Sequence, residues 1–327
     1  MTSNNGENST SLRVAAVTGA SGMIGSRICK TIDTSPGWSP AIRLARNISD
    51  KPSSWRAAPD LSKTGDWNSV LSGADAVIHC AARAHILKET ISPEAATEAF
   101  FAANHFGALQ VAKAALEVGA RHFVFISSAG VVAGEAADKP ALEHSEYSPL
   151  STYAKAKQRA EEDLISLFEH SPCKLIILRP PLVIAKGAPG NVGLLERMAN
   201  WLPIDPFTDI NNCRSVISCT NLSAATLAAC NLQSSETEIF HTVELSPVST
   251  STLIKNIRSA KGKSTVKLPI PAKILAKVFT LLRREELYDK VFGNFQLDDT
   301  NARARLGNYH SCSIVEELEF DWRENDE

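Results

Sequence analysis

No two of the seven cysteines in this 327-residue chain are spaced C-x-x-C, and Cys29, Cys80, Cys173, Cys213, Cys219, Cys230 and Cys312 follow no metal-ligand pattern. Thiols scattered in this way argue against a disulfide framework or a zinc site and read as reduced cysteines of a cytoplasmic protein. A basic surplus is missing too. Lys and Arg number 34 against 36 Asp and Glu, a formal net charge of −2, which speaks against nucleic acid as a partner. No apolar run approaches the roughly 20 residues that span a bilayer, so an integral membrane segment is not expected. The opening MTSNNGENST lacks the charged-then-apolar order of a secretory leader, and residues 1–10 read as a flexible lead-in. Internal repeats and low-complexity tracts are absent. One stretch hints at a surface contact: IPAKILAKVFTLLRR, residues 270–284, sets apolar residues at helical spacing beside four basic ones. It reads either as a helix peripherally associated with an anionic membrane or, preferably, as a packed helix of a small lobe.

What is present is a chain that is 44% hydrophobic and long enough for one extended domain or two unequal lobes. Apolar runs alternate in a βα rhythm. Strands are expected at Leu12 to Thr18, Ile42 to Ala45, Ala76 to His79, His122 to Ser127 and Lys174 to Leu178. Helices are expected at Met23 to Ile32, Glu94 to Val118 and Tyr153 to Phe168. Short apolar strands between helices predict a parallel sheet covered on both faces. Right-handed crossovers make this an α/β, doubly wound fold whose ligands bind beyond the carboxyl ends of the strands.

Small and polar residues gather at those ends. VAAVTGASGMIGSRICK breaks a β-rich run into Gly19, Gly22 and Gly25 and then into a helical pattern. Such a turn aims helix N-terminal N–H groups at a ligand, most often a dinucleotide pyrophosphate, although an ordinary tight turn gives the same triplet. After the third expected strand comes Cys80-Ala81-Ala82-Arg83, small enough for a close approach of a cofactor. After the fourth comes the hydroxyl pair Ser127-Ser128, which alone reads as a cap or turn. Tyr153 and Lys157 then stand four residues apart, on one helical face. A solvated amphipathic face gives the same pair. A nearby ammonium would stabilise the Tyr153 phenolate, and lowering its pKa by ~3 units takes ~4 kcal/mol of differential interaction. Tyr153 would then exchange a proton with a substrate oxygen that Ser128 holds, while Lys157 would also bind ribose hydroxyls.

The G-x-x-G-x-x-G turn, a serine 25 residues before the tyrosine, and Tyr-x-x-x-Lys together resemble the extended short-chain dehydrogenase/reductase family, in its nucleotide-sugar epimerase/dehydratase branch. VTGASGMIG, IHCAARAH, the asparagine of Asn104-His105-Phe106-Gly107, FVFISSAGVVAGE, RPPLV and LDDTNARARLG carry the likeness from about Leu12 to about Gly307. It implies a Rossmann domain at 11–180 with a later contribution from about 214–243. A smaller C-terminal substrate-binding lobe would comprise 181–213 and 244–327. Cofactor contacts are implied at Gly19, Ser21, Gly22, Met23, Ile24, Gly25, Asp66 (the adenine), Ala81, Ala82, Arg83, Asn104, Tyr153 and Lys157. Ser127, Ser128, Asn191 and Arg214 would hold the substrate. Arg214 suits a diphosphate, with a surface salt bridge as its plain alternative. The resemblance also implies a homodimer.

Within the branch, IHCAARAH, RPPLVIAKGAPGN and NCRSVI are most similar to reductases of UDP-4-keto-6-deoxy-N-acetylhexosamines and less closely to UDP-glucose 4-epimerases. Ala129-Gly130-Val131 stands where dehydratases of the branch carry Asp-Glu. Ala133 precedes Gly134 where epimerases commonly carry tyrosine. The second expected strand ends in Arg46 with no Asp or Glu, which suits the 2′-phosphate of NADP over NAD unless Arg46 only lies in solvent or on the adenine. Three functions follow: a 4-keto reductase, a 4-epimerase with tightly held NAD, and a non-catalytic cofactor sensor. The intact Ser128, Tyr153 and Lys157 argue against the third.

Overall fold

The apolar alternation becomes a seven-stranded parallel sheet in the computed structural model, which describes residues 11–84, 92–134, 139–188, 190–201, 204–205, 211–234, 236–264, 266–268, 270–281, 288 and 292–323. In chain order the first part runs β1 (Ala15–Thr18), α1 (Met23–Asp33), β2 (Ile42–Ala45), β3 (Trp55–Ala57), α2 (Trp67–Leu71), β4 (Ala76–His79) and α3 (Pro93–Phe101). It continues through α4 (Gly107–Glu117), β5 (His122–Ile126), α5 (Thr152–Phe168) and β6 (Lys174–Arg179). Then come β7 (Leu182–Ile184), α6 (Asn191–Trp201), β8 (Ile204–Asp205), β9 (Val216–Ser218), α7 (Cys219–Asn231) and β10 (Glu238–His241). The last labelled elements are α8 (Thr250–Ala260), β11 (Val266–Lys267) and α9 (Ala272–Leu281).

The sheet order is β10-β6-β5-β4-β1-β2-β3. Its direction of winding reverses between β1 and β4, and the crevice past that switch point is where a doubly wound sheet takes its ligand. Thr18 and His79 end these two strands in register. Strands β1, β4 and β5 are buried along their whole length because helices cover both faces. On one face Ile28 and Ile32 of α1 meet Leu222 and Ala229 of α7. On the other, Val111 and Ala115 of α4 meet Ala160 and Leu164 of α5. Past β6 a separate core includes Ile184, Leu195, Leu253, Ile257 and Leu318.

Two expectations change. β3 was not anticipated, since three residues, W-R-A, carry too little periodicity to announce an edge strand. The expected single helix from Glu94 to Val118 is interrupted by a π-helical turn, Ala102–Phe106, between α3 and α4. The extra residue in that turn accompanies a fully buried asparagine, Asn104, and π-turns of this kind recur at functional sites.

Candidate active site

The glycine turn is a close-packed cradle. Gly19 has φ +69°, and a Cβ there would lie 2.9 Å from Ala81 Cα; a Cβ on Gly25 would lie 2.2 Å from Gly19 O. Gly22 caps α1 without a side-chain hydrogen bond. The N–H groups of its first turn, at Met23, Ile24 and Gly25, therefore remain for a ligand's oxygens. Met23 itself packs toward the separate core past β6.

A cleft of about 590 Å³ opens along this turn, lined by Gly19, Ser21 and Gly22, by Arg46 after β2, and by Cys80, Ala81, Ala82 and Arg83 after β4. The structure does not bring Asp66 into it. Asp66 caps α2, accepting from Ser69 N at 3.0 Å. The aspartate in the wall is Asp60, beside Leu61. Asp60 Oδ1 accepts from Ser62 N at 2.9 Å and from the Ser62 hydroxyl at 2.7 Å. These bonds, with Arg46 and Lys63 in electrostatic reach, hold its carboxyl below the usual range. The unrecognised β3 explains the misplacement, because it delivers the chain back to the cleft six residues earlier than a reading without that strand implies. The Asp-x-Ser turn signal at Asp60 was legible.

The loop after β4 is fastened from two sides. Asn104 accepts from Arg83 N at 2.7 Å and donates to Arg83 O at 2.9 Å, so it acts by holding the wall rather than by forming it. Thr18 Oγ1 accepts from Ala81 N at 3.2 Å and bonds His79 Nδ1 at 2.9 Å. Burial, with Lys157 adding, pushes the His79 imidazole down to about 3, so this ring is neutral. Its Nε2 has no hydrogen-bond partner.

Ser128 follows β5 by two residues and caps a short helical turn, Ala129–Val132, with Oγ accepting from Gly130 N at 3.1 Å. A Cβ on Gly130 would touch both Ser128 Oγ, at 3.2 Å, and Ala154 Cβ, at 3.5 Å. Gly130 thus lies between Ser128 and the first turn of α5, which carries Tyr153. Ser151 caps that helix through Ala154 N. One turn on, Lys157 is buried, donates to Ile126 O at 2.8 Å and lies 4.3 Å from the Phe125 ring centre. Burial pulls its ammonium down to about 8, against the pull of Glu161 and Cys80.

Two readings are corrected here. Burial acts on the Tyr153 phenol and pushes it up to about 12, where a value lowered by a neighbouring ammonium was expected. Ser127, expected at the substrate, is buried and its hydroxyl donates to Glu161. Glu161, unnoticed in the sequence although it continues the Tyr153–Lys157 stripe by one more turn, also accepts from Tyr147 Oη at 2.9 Å and from Arg179 Nη2 at 2.6 Å.

Asn191 and Arg214 do not line the cleft. Asn191 is exposed at the start of α6. Arg214 is partly buried, donates to Gly293 O at 2.6 Å, and has no carboxylate partner among the described residues.

The family model described as "NAD dependent epimerase/dehydratase family" matches residues 15–241. The chain belongs to this family. A curated UDP-glucose 4-epimerase of Vibrio cholerae is 27% identical over 299 residues, covering 89% of each chain. The UDP-glucose 4-epimerase of Thermotoga maritima, solved with UDP-glucose, is 20% identical and covers 96% of this chain and all of its own, with a TM-score of 0.72. The UDP-glucuronic acid 4-epimerase of Bacillus cereus, solved with NAD, is 19% identical, covers 95% and 96%, and has a TM-score of 0.70. These structures share the fold. The residues of the cleft fit the epimerase/dehydratase cofactor: the glycine cradle would be filled by any Cβ at Gly25, and the uncapped first turn of α1 suits a pyrophosphate. Among the described residues no helix is long and apolar enough to cross a membrane.

Proposed function

We propose that this protein reduces the 4-keto group of a UDP-4-keto-6-deoxy-N-acetylhexosamine, using NADP in preference to NAD. The observation that carries the reading is the state of Tyr153. Its half-buried phenol, pushed up to about 12, is the neutral acid at neutral pH, and the Lys157 ammonium stands one turn further along the same helix. Reduction of a ketone needs a proton donor at the start; oxidation of an alcohol needs a base. A bound nicotinamide would supply the hydride. Tyr153 then delivers its proton to the carbonyl oxygen, Ser128 hydrogen-bonds that oxygen and fixes its position, and Lys157 stabilises the phenolate left behind. Arg46, exposed on the cleft wall after β2, supports the cofactor preference, because its planar fork matches a 2′-phosphate. Arg214, which has no carboxylate partner among the described residues, suits the diphosphate of the substrate. Phe106, exposed where α4 begins, fits a homodimer interface on that helix.

A second reading, a 4-epimerase with retained NAD, is favoured by the similarity to the Vibrio enzyme over 89% of the chain. One experiment separates them. The protein is incubated with UDP-4-keto-6-deoxy-N-acetylglucosamine and, separately, with UDP-N-acetylglucosamine, following NADPH absorbance and product NMR. NADPH loss with the keto sugar alone selects reduction. Interconversion of the second sugar without net redox selects epimerisation, and normal turnover by Tyr153→Phe overturns both.

A further inference from the structure

From Leu245 to Arg284 the chain has nine Lys and Arg and no Asp or Glu, within a protein whose net charge is −2. Two of these cations are used internally: Arg258 is buried and donates to Ala199 O, and Lys261 pairs with Glu196. Lys255, Lys263, Lys273 and Lys277 are exposed. Large apolar side chains are exposed among them. Val266 is 60% and Leu268 48% exposed at β11, and on α9 Ile274 is 52% and Leu281 84% exposed.

On α9 these residues share one side. At 3.6 residues per turn, Lys273, Ile274, Lys277, Thr280 and Leu281 fall within an arc of about 120°, with the lysines along one border and Ile274 and Leu281 along the other. A helix face that is basic at one edge and apolar at the other is suited to the boundary of an anionic bilayer, where ammonium groups meet phosphates and aliphatic side chains enter the acyl region. A second protein surface could cover the apolar residues, but it would not account for a 40-residue segment without a single acidic side chain. A nucleic acid would use the lysines and leave Ile274 and Leu281 in water.

We propose that α9 and the strand before it form a peripheral contact face for anionic phospholipid. This face lies in the C-terminal lobe, and its residues are separate from those of the cofactor cleft. An enzyme bound this way works at the membrane surface while its active site remains in water. Attraction of this kind is lost within a Debye length and weakens as salt rises.

The test is co-sedimentation of the full-length protein with vesicles of phosphatidylcholine alone and of phosphatidylcholine with phosphatidylglycerol. Binding is expected only to the second, with partial release by added salt. Lys273→Glu with Lys277→Glu should lower the partition about tenfold or more. Ile274→Ser with Leu281→Ser should lower it severalfold. Both variants should keep the thermal stability and cofactor affinity of the parent, since all four residues are exposed. Equal partition to both vesicles, no partition to either, or a serine variant that binds like the parent would overturn the proposal. So would binding to poly(U) RNA as tight as to the anionic vesicles and unchanged in the serine variant, which would mark a polyanion site instead.

Discussion

Glu161 grips Arg179 through both Nε, at 3.1 Å, and Nη2, at 2.6 Å, with both side chains out of solvent, one helical turn beyond Lys157. The pair joins α5 to the end of β6; bonds from Ser127 and Tyr147 to Glu161, and from Arg179 Nη1 to Glu143 O at 2.8 Å, join it to the end of β5 and to the segment before α5. Removing one partner strands a charge. Glu161→Ala is expected to cost about 3–5 kcal/mol in urea unfolding, while Glu161→Leu with Arg179→Met should recover most of that loss. An additive double variant would show that the two side chains are not coupled.

The glycine cradle predicts a contrast between sites. Gly25→Ala sets a Cβ against Gly19 O and should reduce dinucleotide affinity at least about tenfold, measured by fluorescence titration. Gly37→Ala, at φ +81° but facing open space, should cost about 1 kcal/mol of stability and leave affinity unchanged.

Two aspartates six residues apart should behave differently. Asp60→Ala removes a charged wall of the cleft and is expected to weaken dinucleotide binding severalfold with little change in melting temperature. Asp66→Ala removes the α2 cap and should cost about 1 kcal/mol with cofactor affinity intact. Calorimetric titration and thermal melts on the same samples check both.

The pH dependence of the proposed keto reduction should carry the signature of Lys157. With the Tyr153 phenol at about 12 and the Lys157 ammonium at about 8, the charge that stabilises the departing phenolate is lost above pH 8 while the tyrosine is still protonated. kcat/KM is therefore expected to fall above about pH 8, and Lys157→Arg, which stays charged, should flatten that limb in whatever activity remains.

At acid pH His79 should matter to stability. Its folded value of about 3 lies below the ordinary 6.5, so between these pH values the unfolded chain binds a proton that the folded chain refuses. Stability then drops as pH falls from 6.5 toward 3, by at most about 1.4 kcal/mol per pH unit for this one group. His79→Gln should make the slope of unfolding free energy against pH shallower by up to that amount.

Much of the fold was legible because buried strands such as AAVT and AVIH are short, continuous apolar runs set between amphipathic helices, and that rhythm has one common packing solution. β3 was not legible, and Asp66 was put in the place of Asp60 as a consequence. The π-turn around Asn104 left no mark either, since a single extra residue in a helix changes no composition or period. The stripe Tyr153, Lys157, Glu161 shows the opposite case: its four-residue spacing was visible, but a glutamate on a helix usually faces water, and only burial reveals this one as a core carboxylate.

By itself the sequence determined where polar chemistry could gather, because glycines that exclude a Cβ and polar residues that end apolar strands have few other uses. Which groups face one another was decided by tertiary structure. Ser127 and Ser128 are chain neighbours, yet successive side chains past a strand end point to opposite sides, and one is sealed against Glu161 while the other caps the turn after β5. The charge states follow from the same packing: burial sets the values of Tyr153, Lys157 and His79, and burial is a property of the neighbours that long-range contacts supply.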